Sequence, residues 1–153
     1  MENTIALNYS DLALKDNGLI KEINQVLGFN NPEKAGLAVS RVLHTIRKSL
    51  SYQESAEFIK RLPEYLKVMF VMNWKPKEEK IQLRHLDEFT EEVLNEDDNS
   101  EHKVFFKEVD ALTAVITVLK TLNKHVDLLN FPSFHYNLKR ELQETMLEVS
   151  SAA

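Results

Sequence analysis

Apolar residues recur at three- and four-residue steps along most of the chain, and the runs open and close on residues that start or stop helices. Leu19, Ile20, Ile23, Val26 and Leu27 form the first stripe, and Gly28 follows where a left-handed residue ends a helix. Asn31-Pro32-Glu33 reads as the next start, with Asn31 as N-cap and Pro32 in the first turn, where its missing N–H has no intrahelical partner to lose. Ala35, Ala38, Val39, Val42, Leu43, Ile46 and Leu50 then share one apolar face, while Lys34, Ser40, Arg41, Lys48 and Ser49 fall mostly outside it. Ser51-Tyr52-Gln53-Glu54 is a capping-box pattern ahead of Ala56, Phe58, Ile59 and Leu62. Pro63 lacks an N–H and disfavours helical geometry at Leu62, so a break is expected there, followed by a short helix holding Leu66, Met69 and Phe70. Asn73-Trp74-Lys75-Pro76-Lys77 reads as a turn and 77–84 as a polar connection. A helix over about 86–95 turns Leu86, Phe89, Val93 and Leu94 inward, and Glu96-Asp97-Asp98-Asn99-Ser100 reads as an acidic loop. The helix expected over about 101–126 is the most apolar, with Leu112, Val115, Ile116, Val118, Leu119, Leu122 and Val126, which suits the centre of a bundle. A last helix from near Pro132 carries Phe134, Leu138, Leu142 and Met146, with a frayed tail from Ser150.

The pattern also repeats. At an offset of 76, Ala38, Val39, Val42, Leu43, Thr45, Ile46 and Leu50 fall on Ala114, Val115, Val118, Leu119, Thr121, Leu122 and Val126. The same offset takes Phe58, Leu62, Leu66 and Phe70 onto Phe134, Leu138, Leu142 and Met146. Lys21-Glu22-Ile23 meets Asp87-Glu88-Phe89 at an offset of 66, so the second copy has a longer first connection. The expected architecture is an all-α bundle of six to seven helices, one domain over 1–153. It is built from two similar half-units, about 17–72 and 85–147, with the 33–50 and 101–126 helices in the middle and flexible ends at 1–10 and 149–153.

Composition narrows the chemistry. The chain of 153 residues has no Cys, which removes disulfides, thiolate metal sites and a cysteine nucleophile, and three Gly, too few for a phosphate-cradling loop. A net charge of −5 disfavours general affinity for nucleic acid or an anionic membrane. The longest apolar run, Val68 to Met72, is far short of the roughly 20 residues a spanning helix needs. Met1-Glu2-Asn3-Thr4 lacks the basic, apolar start of a signal peptide, so a cytoplasmic location is expected. The charge is unevenly spread. Residues 41–84 hold ten Lys/Arg against five Asp/Glu, a balance of +5, whereas 85–123 hold three against ten, a balance of −7. Such asymmetry suits pairing with a second copy, a charged partner, or matching within the chain.

Several short strings in order resemble one family. Arg41-Val42-Leu43-His44-Thr45-Ile46-Arg47 looks like the "avLhtLrdrL" segment of the bacterial domain-of-unknown-function 2267 family. Ser51 to Glu57 resembles its "t-x-eEa" helix, Arg61-Leu62-Pro63 its "QLP" signature, and Asn73-Trp74-Lys75-Pro76 its "GW" turn. His85-Leu86-Asp87-Glu88-Phe89-Thr90-Glu91-Glu92-Val93 resembles its "HLddFieeV" helix, so the likeness spans about 17–147. The chain departs from the pattern at Arg61, where the family has Gln, and at Asn137-Leu138-Lys139, which replaces a second "QLP". The resemblance implies an all-helical, cytosolic bacterial protein of no agreed activity.

The candidate chemistry has bland readings beside it. The five histidines, His44, His85, His102, His125 and His135, form no HxxxH or HExxH, and no paired ExxH. His44 sits beside an apolar face, where a hydrogen-bonded core imidazole is the commoner outcome than a ligand. His85 with Asp87 and Glu88 offers a ligand and a base, yet acidic residues at a helix start also answer its dipole. The acidic run from Glu96 lacks the glycine and spacing of a calcium loop, and Ser51 is better explained as a cap than as a nucleophile. Trp74 and Phe70 fit the junction between half-units; with Arg61 they are also the candidate interaction surface. The preferred expectation is a non-enzymatic protein with no cofactor and no nucleic-acid or membrane partner. It works through protein–protein contact or self-association, as a homodimer or with an unidentified protein partner. The alternative is a bundle that binds a small ligand or metal, with His44, His85 and Asp87 as candidates.

Overall fold

The structure, a computed structural model, describes residues 18–29, 31–74, 80–98 and 108–151. Among these it is all-α, with seven α-helices and no strand. The helices are α1 (Leu19–Leu27), α2 (Pro32–Lys48), α3 (Tyr52–Ile59), α4 (Glu64–Val71), α5 (Leu86–Asp98), α6 (Glu108–Val126) and α7 (Tyr136–Ser151), with a 3-10 turn at Leu128–Asn130.

Local chemistry accounts for the breaks. Gly28 ends α1 at φ 66, a left-handed conformation that costs glycine least. Asn31 Oδ1 accepts the Glu33 N–H at 3.0 Å, and the Asn31 N–H is held by Asn24 Oδ1 at 3.0 Å, which locks the α1–α2 corner. Ser51 and Glu54 complete both halves of the capping box, at 3.1 and 2.8 Å. Pro63 sits extended just before α4 and separates it from α3.

Helix α2 packs against α1, α4, α5 and α6, and α6 packs against α1, α2, α5, α7 and the 3-10 turn, so these two long helices form the middle of the bundle. Every residue from Ala38 to Arg47 is buried. A helix buried on all sides must pair its polar side chains internally. A second focus of packing is aromatic: Phe58 lies 5.4 Å from Phe70, 5.2 Å from Phe131 and 6.2 Å from Phe134, mostly in tilted or edge geometries. One backbone bond closes the base of the α3–α4 pair, where the Ile81 N–H donates to the Lys48 carbonyl at 2.8 Å.

Four expectations need correction. Ser40 and Arg41 are buried rather than outside the apolar face, because α5 covers that side of α2. Val26 and Leu112, placed inward by periodicity, are 62% and 40% exposed. Asp97 and Asp98 are not loop residues: α5 runs on to Asp98, and Asp97 is fully buried. The last helix begins at Tyr136 instead of near Pro132, because Phe131 and Phe134 turn into the aromatic cluster and hold that stretch as a turn. The expected loop residues Asn99 and Ser100, His102 and the start of the long helix at 101–107 lie outside the described residues. So do Lys75 to Glu79, the end at 1–10 and the side chain of Met146.

Candidate functional site

Helix α4 has two faces. Tyr65, Leu66, Met69 and Phe70 are buried against α2 and the aromatic cluster, whereas Val68 and Val71 are 41% and 42% exposed, one turn apart on the outer side. The helix ends at Val71, Asn73 turns the chain with a φ of 55, and the Trp74 N–H reaches back to the Val71 carbonyl at 3.2 Å. Arg47 reaches across from α2 to hold this end. Its Nη1 donates to the carbonyls of Phe70 at 2.6 Å and Met72 at 2.8 Å, and its Nη2 lies 3.5 Å from that of Asn73. The last carbonyls of a helix lack intrahelical donors and carry its negative dipole end, so a guanidinium fork answers both. Trp74, fixed in this way, stacks on Tyr52 at 5.1 Å and meets Phe70 edge-on at 6.1 Å. Val68, Val71, Trp74 and Tyr52 thus form one outward apolar strip.

The three residues expected to form the interaction surface divide. Phe70 is fully buried and cannot contact a partner directly; its ring supports Trp74 from below. Trp74 is half-buried at the strip's end. Arg61 is exposed, with its Cζ 4.9 Å from the centre of the Phe131 ring, a cation–π contact that fixes the α3–α4 corner to the turn before α7.

His44 is a core histidine. Its Nε2–H donates to the Met69 carbonyl at 2.8 Å, which fixes the tautomer, since a carbonyl only accepts. Burial, with the nearby Arg47 charge, lowers its pKa from 6.5 to about 4. A base with a lowered folded pKa stays neutral while the unfolded chain takes up its proton. Stability from His44 is therefore fully present above about pH 6.5 and is lost as the pH falls from there toward 4, by at most about 3 kcal/mol. Urea unfolding across that window should show the loss in the native chain and a flatter profile in His44→Gln, which keeps an N–H for Met69. Parallel profiles would show that another group is responsible.

His85 and Asp87 stand at the start of α5 and serve its open N–H groups. Glu141 of α7 accepts the Leu86 N–H with Oε1 at 2.7 Å and meets His85 Nδ1 with Oε2 at 2.8 Å. Glu88 Oε1 accepts the N–H groups of Arg84 and His85, each at 3.0 Å, and Asp87 Oδ1 accepts the Glu88 N–H at 2.8 Å. The bond to Glu141 raises the pKa of exposed His85; at Glu141, the His85 and Leu86 bonds outweigh burial and lower it. Among the described residues no group of three or more His, Cys, Asp or Glu is placed to hold a metal ion. His44 and His85 serve different helix junctions and are not brought together.

Sequence reasoning missed three polar side chains that organise the fold. Arg41 Nε lies 3.1 Å from Asp97 Oδ1 in a buried ion pair, Arg47 holds the end of α4, and Glu141 caps α5 from α7. The signal for Asp97 was its register, since it continues the inward positions of Phe89 and Val93. The basic and acidic stretches also meet within the chain, through Arg41–Asp97 and through Lys48, which pairs with Glu92 and Glu96.

Among known proteins, the model of a family described as "Uncharacterized conserved protein (DUF2267)" matches residues 16–145. No curated protein matches the chain.

Proposed function

We propose, from the premise that this chain belongs to the DUF2267 family of uncharacterised conserved proteins, that it is a non-catalytic helical module that pairs with a second copy of itself across the outer face of α4. The observation that carries this reading is the pair of half-exposed valines, Val68 and Val71, continued by Trp74 and Tyr52. An isologous contact needs a patch that complements itself. Glu64 and Lys67 border the valines with opposite charge, so the strip faces its own copy without like-charge opposition, unlike a chain surface of net charge −5 taken as a whole. The non-catalytic reading is supported by the intrachain bonds of the candidate histidines, His44 to Met69 and His85 to Glu141.

Sedimentation equilibrium and native mass spectrometry test it. The chain of 17.8 kDa is expected to run as a dimer, and the double variant Val68→Asp with Val71→Asp as a monomer with an unchanged helical circular dichroism spectrum. Both side chains point away from the core, so the variant should fold. A native chain that stays monomeric at the highest soluble concentration, or a dimer indifferent to the two aspartates, would overturn the proposal. The reading of the protein as a ligand-binding bundle rests on a different place in the fold.

A further inference from the structure

A half-open cleft of about 300 Å³ lies between the extended segment 80–84 and the turn at 131–135, with Ser49 at the end of α2 beside it. Lys80, Gln82 and Arg84 line one wall, and Ser133 and His135 the other. Leu83 and Phe134, buried to 8% and 9% exposure, supply its apolar lining. Among the described residues the lining itself contains no acidic side chain, and a nearby carboxylate, that of Glu54, bonds to Lys80 and Ser133. The volume is at the small end of the range for ligand pockets, which suits a compact ligand.

The donors here are incompletely engaged. Arg84 Nη2 donates to Gln82 Oε1 at 2.7 Å, and that neutral amide is the only side-chain partner its guanidinium has among the described residues. Among the described residues no carboxylate pairs with that guanidinium. His135 Nδ1 accepts the Asn137 N–H at 3.2 Å, so the neutral ring carries its proton on Nε2 and offers it as a donor. Lys80 donates to Glu54 Oε1 at 3.0 Å, and Ser133 also hydrogen-bonds Glu54, so this nearby carboxylate takes one of the three ammonium protons and leaves two. Several donors of at least two geometries around one opening suit a group with three oxygens better than one with two.

We infer that this cleft binds a small organic phosphate, its oxygens held by Arg84 and Lys80 with the Gln82 amide and His135 Nε2–H, and its carbon body against Leu83 and Phe134. The site is separate from the α4 strip, so a ligand bound here leaves the pairing surface open. It also bridges the segment that enters α5 and the turn that precedes α7, so occupancy fastens two connections to each other.

Isothermal titration of the full chain with inorganic phosphate, phenyl phosphate and benzoate tests this. Phenyl phosphate is expected to bind saturably at one site per chain and more tightly than inorganic phosphate, because its ring meets the apolar lining. Arg84→Gln is expected to weaken binding by about tenfold or more, as loss of a charge-assisted fork implies. Lys124→Gln, which removes a surface charge paired with Glu22, should change nothing. Absence of saturable heat with either phosphate, or equal affinity in Arg84→Gln, would overturn the proposal. Benzoate binding as tightly as phenyl phosphate would overturn the choice of phosphate.

Discussion

Asp97→Ala is expected to lower the unfolding free energy by about 3–5 kcal/mol, read from urea denaturation of the native and variant chains. The Asp97 side chain has 0% exposure and its partner Arg41 has 10%, with 3.1 Å between the paired atoms. Removing the carboxylate takes from a guanidinium in the interior the ion partner that helps to offset its lost hydration. The neighbouring pairs of Lys48 with Glu92 and Glu96 are about a fifth exposed, and each contributes no more than about 1 kcal/mol. The paired variant Arg41→Met with Asp97→Leu separates a buried-charge penalty from general disruption. It removes both charges together and should cost far less than Asp97→Ala alone, since well-packed apolar replacements of a buried pair are often neutral. A single variant that loses under about 1 kcal/mol would show that water reaches the pair.

Leu119→Ala is expected to cost about 2–5 kcal/mol, the range for truncating a leucine inside a packed core. Leu119 is 2% exposed on α6 and borders a small apolar void of about 10 Å³ shared with Ile46, Phe89 and Leu138. Truncation there enlarges an existing gap, and the helices on either side are held by other contacts, so collapse into the space is limited. The effect should therefore lie toward the upper part of the range. Leu112→Ala, on the same helix but 40% exposed, is the comparison: its cost should stay below about 1 kcal/mol. Equal losses at the two positions would mean that α6 is not held in the orientation described.

The sequence disclosed the helices, and the ends that are set by near neighbours, whereas the end of α5 and the start of α7 were set by distant packing and were misplaced. Asn31, Ser51, Pro63 and Gly28 act through bonds or backbone angles within a few residues, so their roles are visible in short strings. What escaped depends on partners far along the chain. Arg41 and Asp97 are separated by 56 positions, Arg47 and Met72 by 25, and His85 and Glu141 by 56. A charged residue on a helix reads as solvated until the covering element is known, which is why α2 looked one-sided when it is buried on all sides from Ala38 to Arg47. Phe70 shows the opposite error. An aromatic beside a tryptophan suggests a surface anchor, yet it lies inside and gives the exposed ring its footing. The cleft was invisible for the same reason, because Arg84 and His135 are brought together by how the connections into α5 and α7 run, and no local pattern records that path.

The bond from the Ile81 N–H to the Lys48 carbonyl has a consequence for how the molecule tolerates change. It brings the two ends of the stretch from 49 to 80 close together, so the α3–α4 pair departs from the end of α2 and returns beside it, while Phe58, Leu66, Met69 and Phe70 keep the pair packed into the core. Added length in the connections at the two ends of this closed stretch need not shift the elements it joins, since the entropic cost of lengthening a closed loop rises only logarithmically, whereas a change within α3 or α4 would displace these core side chains. The neck formed by the two ends is thus the place where chain length can change with least effect on the packing on either side of it.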